Sequence, residues 1–361
     1  MKQKTLYVFL VCTLFAVVMS TFIACNADSK KDSVKTDTQP SASIVATIYP
    51  QYAWLKEILG ARADSLGLKL LIKNGMDLHS YKPSAEDIAT IARADMVIFV
   101  GGESDEWIEK ALEATPKENR VQVNLMEALG DRVKEEEIVE GMQAEEEHEH
   151  HEHAEEHENE HHEHAEAHEH VEEHEHHHHG EEVENDEHIW LSLKNAEVLV
   201  KILADAVAKL DSAHAGEYRA NASAYIDKIN ELDESFRVAV AGGTHKTVLF
   251  GDRFPFRYLV DDYGLKYFAA FVGCSAESEA SFETVAFLAN KMDSLALPAI
   301  FTIDGSDGKI ANAVLAASKK SKEAEVLTLN SMQSIRADQM ATTSYIEMMR
   351  QNLDVLKKAL K

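Results

Sequence analysis

Cysteine is scarce, with three residues in a chain of 361, and their placement excludes a disulfide framework. Cys12 lies inside an N-terminal apolar run, Cys25 follows that run, and Cys274 stands alone far downstream; it reads as a small buried apolar residue. Long apolar runs are missing too. After Leu6–Met19 no stretch approaches the ~20 apolar residues that a membrane span needs. Gly-x-Ser-x-Gly does not occur, and HExxH falls only inside the low-complexity Glu/His stretch, at His157–His161 and His174–His178, which gives no sequence grounds for a zinc or serine hydrolase. A basic surplus is also absent: Lys and Arg number 36 against 63 Asp and Glu, for a net charge of −27. Nucleic acid is therefore excluded as a partner. The acidity is local, because Gln143–Glu187 holds twenty acidic residues and no Lys or Arg, leaving −7 for the rest.

The first 24 residues read as a targeting signal: Lys2 and Lys4 precede the apolar run, which is too short for a stop-transfer helix. The run closes on Thr21-Phe22-Ile23-Ala24-Cys25, which resembles the lipobox of bacterial lipoproteins, with Phe22 where Leu is usual. On that resemblance Cys25 is diacylated and becomes the new N-terminus. Residues 25–43 are rich in Ser, Asp, Lys, Thr and Gln and read as a flexible tether. The expected location is extracytoplasmic, held to a membrane by lipid, in the periplasm or at the cell surface.

Beyond the tether, short β-rich runs alternate with helical patterns. Ile44–Ile48, Leu68–Ile72, Met96–Val100 and Val121–Asn124 form one set; Thr247–Phe250, Leu265–Phe271, Ala299–Ile303 and Val326–Leu329 form another. Strands separated by helices predict α/β architecture with parallel sheets, here two lobes of four strands each. The first lobe spans residues 44–212, interrupted by a low-complexity insert at 143–187, and the second spans 242–361. Between them, Tyr218, Tyr225, Ile229, Leu232 and Phe236 recur at helical spacing with no Pro or Gly from Glu217 to Val240. This predicts one long rigid helix over 213–241, ended by Gly242-Gly243. Ligands of α/β lobes lie beyond the carboxyl ends of the strands, which for two lobes means the cleft between them.

The insert carries the strongest chemical signal. Fifteen histidines lie between His148 and His179, among them His148, His150, His151, His153 and the run His176, His177, His178 and His179. With almost no aliphatic residues it is expected to be disordered. Neutral imidazole suits zinc, copper and nickel, and irregular spacing predicts many weak, exchangeable sites. Two other histidines have different surroundings. His79 lies in Asn74-Gly75-Met76-Asp77-Leu78-His79-Ser80 beyond the second strand, and His188 lies in Asp186-Glu187-His188-Ile189-Trp190 where the pattern of structure resumes. Each alone is a structural histidine as readily as a ligand; together, beside a histidine reservoir, they read as ligands. His214 and His245 read as exposed structural histidines, and Glu277 and Glu279 as the start of a helix.

These residues resemble a known family. His79-Ser80-Tyr81-Lys82-Pro83-Ser84, continuing through Ala94-Asp95, resembles the first metal-site motif of the high-affinity zinc-uptake substrate-binding proteins, the ZnuA family. Asp186–Leu191 with Lys194-Asn195-Ala196 resembles the second, and Tyr218–Leu232 is similar to the family's inter-lobe helix. The resemblance implies one transition metal in the interlobe cleft. It also implies a third ligand, His or Glu, at the end of the second lobe's first strand, where this sequence has Gly251 or Arg253 depending on the anchor of alignment. Neither can replace an imidazole. Asp252, between them, is the natural substitute, although an ion pair with Arg253 or a helix cap explains it as well. The family's fourth position, an Asp in many relatives, falls on Asn330; Asp304 and Asp307 are alternatives. The metal set expected is thus His79, His188, Asp252 and Asp304.

The function that follows from the resemblance is capture of Zn2+ by a monomeric, lipid-anchored receptor that delivers it to an ABC permease and its ATPase. The rivals are a manganese, iron or nickel receptor of the same fold and a surface metal-storage or adhesion lipoprotein.

Overall fold

All eight strand-forming runs become strands in the computed structural model, which describes residues 41–143, 184–275, 279–321, 323–340 and 342–361. The first lobe runs β1 (Ile44–Ala46), α1 (Tyr49–Leu59), β2 (Leu68–Leu70), α2 (Ala85–Arg93), β3 (Met96–Phe99), α3 (Glu106–Ala114), β4 (Val121–Asn124) and α4 (Leu125–Leu129). Two helices follow, α5 (Leu193–Leu210) and α6 (Ala215–Gly242). The second lobe runs β5 (Thr247–Phe254), α7 (Arg257–Tyr263), β6 (Lys266–Val272), α8 (Phe282–Leu295), β7 (Ala299–Ile303), α9 (Lys309–Ala317), β8 (Glu325–Leu329), α10 (Ala337–Met340) and α11 (Tyr345–Ala359).

Both sheets are parallel and share one topology, β2-β1-β3-β4 and β6-β5-β7-β8. The strand order reverses between β1 and β3, and again between β5 and β7. Loops leaving those strands diverge there and leave a crevice at their carboxyl ends. Side-chain alternation sorts each strand between two layers. Met96 and Ile98 of β3 face a core continuous through both lobes, whereas Val97 and Phe99 face an outer layer with Ile91, Ile108 and Leu112. In β5, Val248 and Phe250 join the shared core, while Leu249 packs outward with Leu288, Met292 and Val314.

Helix α6 has 28 residues, roughly 42 Å at the α-helical rise. Its stripe of Tyr218, Ala222, Tyr225, Ile229, Leu232, Phe236 and Val240 is buried. It packs on α1 and α5 at one end and on α7 and α11 at the other. Phe236 stacks on Tyr263 of α7 with ring centroids 5.2 Å apart, so the spar is tied to the second lobe by aromatic packing.

Four local features differ from the sequence-based expectation. Strand β5 continues to Phe254, with a bulge that sets Gly251 and Asp252 against the single residue Ala270. Ser41 and Ser43, assigned to the tether, are bonded to the Ser65 carbonyl and the Asp95 carboxylate. Helix α8 starts at Phe282 behind the Ser281 cap, so Glu279 precedes it; Glu277 lies outside the described residues. Finally, the ends of the insert are built into the fold. Asp186 donates its backbone N–H to the Lys134 carbonyl and Glu136 donates to that of Glu184, which closes a short antiparallel stem around Glu135 and Asn185.

Candidate metal site

His79 is carried on a single turn of 3-10 helix, Leu78–Ser80, just beyond β2. Leu78 is fully buried and pins the turn, and the Asp77 side chain caps it by accepting the His79 N–H at 3.0 Å. Asp77 also binds Arg253 of β5 at 2.9 Å, so the turn is tied directly to the second lobe. The His79 ring is nearly enclosed, its side chain 7% exposed. Burial foremost, then the neighbouring His188 and Arg253, lowers its pKa to about 3, with Asp77 opposing. The ring is therefore neutral and ready to coordinate.

His188 sits where the stem of the insert enters the fold. The next three residues, Ile189, Trp190 and Leu191, are buried and anchor it. Trp190 donates from Nε1 to the Ser331 carbonyl at 2.8 Å, and Tyr345 donates to the Trp190 carbonyl at 2.8 Å. Ser192 then caps α5 by accepting the Asn195 N–H. Asp186 accepts both the His188 backbone N–H at 2.8 Å and its Nδ1 at 2.9 Å. A carboxylate can only accept, so Nδ1 carries the proton and Nε2 presents its lone pair.

The two rings meet with Nε2 3.1 Å from Nε2. Two imidazoles on one tetrahedral zinc at ordinary bond lengths hold their nitrogens about 3.3 Å apart, so the spacing fits a shared ion. The far nitrogen of His79 lies 2.6 Å from Ser104 Oγ, and Ser104 in turn donates its N–H to Glu187 at 2.8 Å. With His79 Nδ1 donating to that hydroxyl, both Nε2 lone pairs point into one gap. A cation between them relieves the repulsion.

The structure brings His79 and His188 together and does not bring Asp252 or Asp304 to them. Among the described residues, the third metal-ligating side chain beside the pair is Cys274, and one ring nitrogen of each histidine and the thiol all lie within 4.8 Å of one another. Asp252 and Asp304 instead line an adjoining interlobe cleft of about 540 Å³ with Asp77, Arg253, Glu279 and Asp307. The Asp252 carboxylate is engaged by the backbone N–H groups of Arg253 and Ile303, at 2.9 and 3.4 Å. It neither pairs with the Arg253 guanidinium nor caps a helix. Asp304 accepts from Ser331 N and Oγ at 2.5 and 2.8 Å, while burial raises its pKa.

Gly251 is excluded by space: a Cβ there would lie 2.5 Å from Ala311 Cα in α9. The Asn330 side chain accepts the Met332 N–H at 2.8 Å and so shapes its own turn. Three residues on, Gln333 places Nε2 2.8 Å from His188 Nε2 and leaves Oε1 buried without a partner. Turned over, this amide would offer its oxygen to an ion between the rings. His214 is bonded to Asp211. Cys25 and the accessory histidines His148–His179 lie outside the described residues.

Asp252 therefore has a fold role, with a testable consequence. Asp252→Asn should lower apo stability by about 1–3 kcal/mol, because one buried N–H loses a charged acceptor, and should leave metal affinity unchanged. Thermal melts and calorimetric titration of the same variant would separate the two effects.

Residues 44–359 match the family model described as zinc-uptake complex component A, periplasmic. The zinc-binding lipoprotein AdcA of Streptococcus pneumoniae is 29% identical over 361 residues, covering 99% of this chain and 61% of its own length. This chain thus spans about three fifths of that relative. The high-affinity zinc uptake system protein ZnuA of Bacillus subtilis is 28% identical over 360 residues, covering 99% of this chain and 98% of its own. The crystal structure of the Zn(II)-bound ZnuA-like domain of Streptococcus pneumoniae AdcA matches with a TM-score of 0.63 at 24% identity, over 88% of this chain and 98% of that one. That last likeness is one of fold.

Proposed function

Because the chain belongs to the family of periplasmic zinc-uptake component A proteins, we propose that it captures Zn2+ outside the cytoplasmic membrane and delivers it to an ABC-type importer. Family members are metal-binding substrate-binding proteins, not enzymes, and work with ABC transporters. The observation that carries the reading is the 3.1 Å approach of His79 Nε2 to His188 Nε2. Imidazole donors suit zinc, whereas manganese favours more oxygen. The described residues contain no helix long and apolar enough to cross a membrane; attachment is assigned to lipid on Cys25. On this reading Cys25→Ser moves the protein from the membrane to the soluble fraction. The receptor acts as a monomer, docking on the permease and releasing its cargo when the lobes part.

The insert supplies the site in this scheme. One end is anchored beside the histidine pair, since Asp186 bonds the His188 ring at 2.9 Å; the other is held to the second lobe, where Gln143 donates to the Ala270 carbonyl at 2.9 Å. Ions held weakly by His148–His179 are thereby kept near the tight site. The test is growth of the source bacterium with this gene deleted, in medium stripped of metals. Growth should fail and return with added zinc. Rescue by manganese or iron alone would make it a receptor for that metal instead.

The Asp186 carboxylate should matter without touching the ion. Asp186→Asn no longer enforces the Nδ1–H tautomer of His188 and should weaken zinc binding about 10–100-fold. Competition against a chelator of known affinity would measure it, and an unchanged affinity would show that Asp186 serves the fold alone.

A further inference from the structure

We propose that Cys274 provides a thiolate as the third ligand of the metal, giving a two-nitrogen, one-sulfur site to which the second lobe contributes sulfur. The inference rests on the metal-receptor reading above. It starts from position: Gly273-Cys274 follows β6 at the carboxyl edge of its sheet, opposite the loops that carry His79 and His188. Gly273 lets this loop approach, because a Cβ there would lie 3.0 Å from His188 Cε1 and 2.9 Å from the Phe254 carbonyl. The loop is also held in place. Cys274 donates its N–H to Glu136 Oε1 at 3.1 Å, and Arg253 donates to the Ser275 carbonyl at 3.2 Å.

The thiol lies within 4.8 Å of a nitrogen of each histidine. Zinc–sulfur and zinc–nitrogen bonds of ordinary length place the donors about 3.5 Å apart in a tetrahedron, so a shift of roughly 1 Å completes the triangle. Coordination forms a metal–sulfur bond and releases the thiol proton to solvent, with no change of oxidation state. The unpartnered Gln333 Oε1 is then placed for the fourth position, as an amide oxygen or through water. A thiolate would tilt selection towards softer metals and away from manganese.

Cobalt(II) is the probe, because a thiolate on cobalt gives an intense near-ultraviolet charge-transfer band that imidazole and carboxylate do not. Titrating the full chain with Co2+ should produce that band together with tetrahedral visible bands. In Cys274→Ser the charge-transfer band should vanish and zinc affinity fall at least about 10-fold. In Cys274→His the affinity should recover without the band, which guards against a variant that merely misfolds. Tetrahedral visible bands without the charge-transfer band in the unaltered protein would overturn the sulfur ligand and leave the histidine site standing. Absence of both would overturn the metal-receptor reading as well.

Discussion

His188→Ala should weaken zinc binding by at least about 100-fold, the upper end of what loss of an outer-shell partner alone causes. His188 is fully buried, so truncation does more than delete a donor. It leaves the Asp186 carboxylate, 2% exposed, with the backbone N–H of residue 188 but without the ring N–H it also accepts, and losing a hydrogen bond to a buried polar group is costly. His79→Ala should have a similar effect on affinity. Its loss removes the only donor that the β2 loop places against the His188 ring among the described residues. Calorimetric titration should use a background lacking residues 145–183, so that tract histidines do not mask the site. Ending the deletion at Val183 retains the bond from Glu136 N–H to the Glu184 carbonyl. Near-unchanged tight binding in either variant would remove that histidine from the site.

Mild acid should strip the tract and spare the cleft. Exposed imidazoles titrate near ~6.5, and neighbouring carboxylates move them upward. The tract interleaves His with many Glu residues, so its rings should be largely protonated by about pH 5.5 and unable to hold metal. His79 differs in sign: burial and its neighbours lower its pKa to about 3. Protons therefore compete with the ion at this nitrogen only as pH approaches that value. Between about pH 7.5 and 5.5 the zinc content of the full chain should fall from several ions to about one, whereas the chain lacking 145–183 should hold about one at both. Native mass spectrometry of both proteins at both pH values measures this directly. A tract that keeps its load at the lower pH, or a deletion that empties the tight site, would contradict the reservoir.

The parts of the fold that sequence reveals are those in which each residue's role depends on near neighbours. Met96–Phe99 is apolar throughout because both faces of β3 are covered, and the stripe from Tyr218 to Phe236 has helical period because one face of α6 is buried. His188 could have been read further: Asp186, two residues before it, is the local signal of an oriented ring. The proposed second-lobe half of the site is hidden in the sequence because it depends on pairing between distant segments. Two alignments pointed to Gly251 and Arg253, and the bulge at Gly251-Asp252 opposite Ala270 shows why an unbroken strand register misleads there. It turns Gly251 towards α9, where no side chain fits, and leaves Asp252 bonded to backbone. Cys274 lies 195 residues from His79 and 86 from His188 in the sequence. Only the meeting of the β6 loop with the β2 loop and the insert stem makes it a neighbour of both. Gln333 likewise lies three residues beyond the position to which the resemblance pointed.

The most direct test of the central claim is a crystal structure of the zinc-loaded protein with anomalous data collected on both sides of the zinc edge. One strong peak should lie between His79 Nε2 and His188 Nε2, within about 2.0–2.1 Å of each. A principal peak among Asp252, Asp304 and Asp77, with the two histidines still facing each other across an empty gap, would contradict the account.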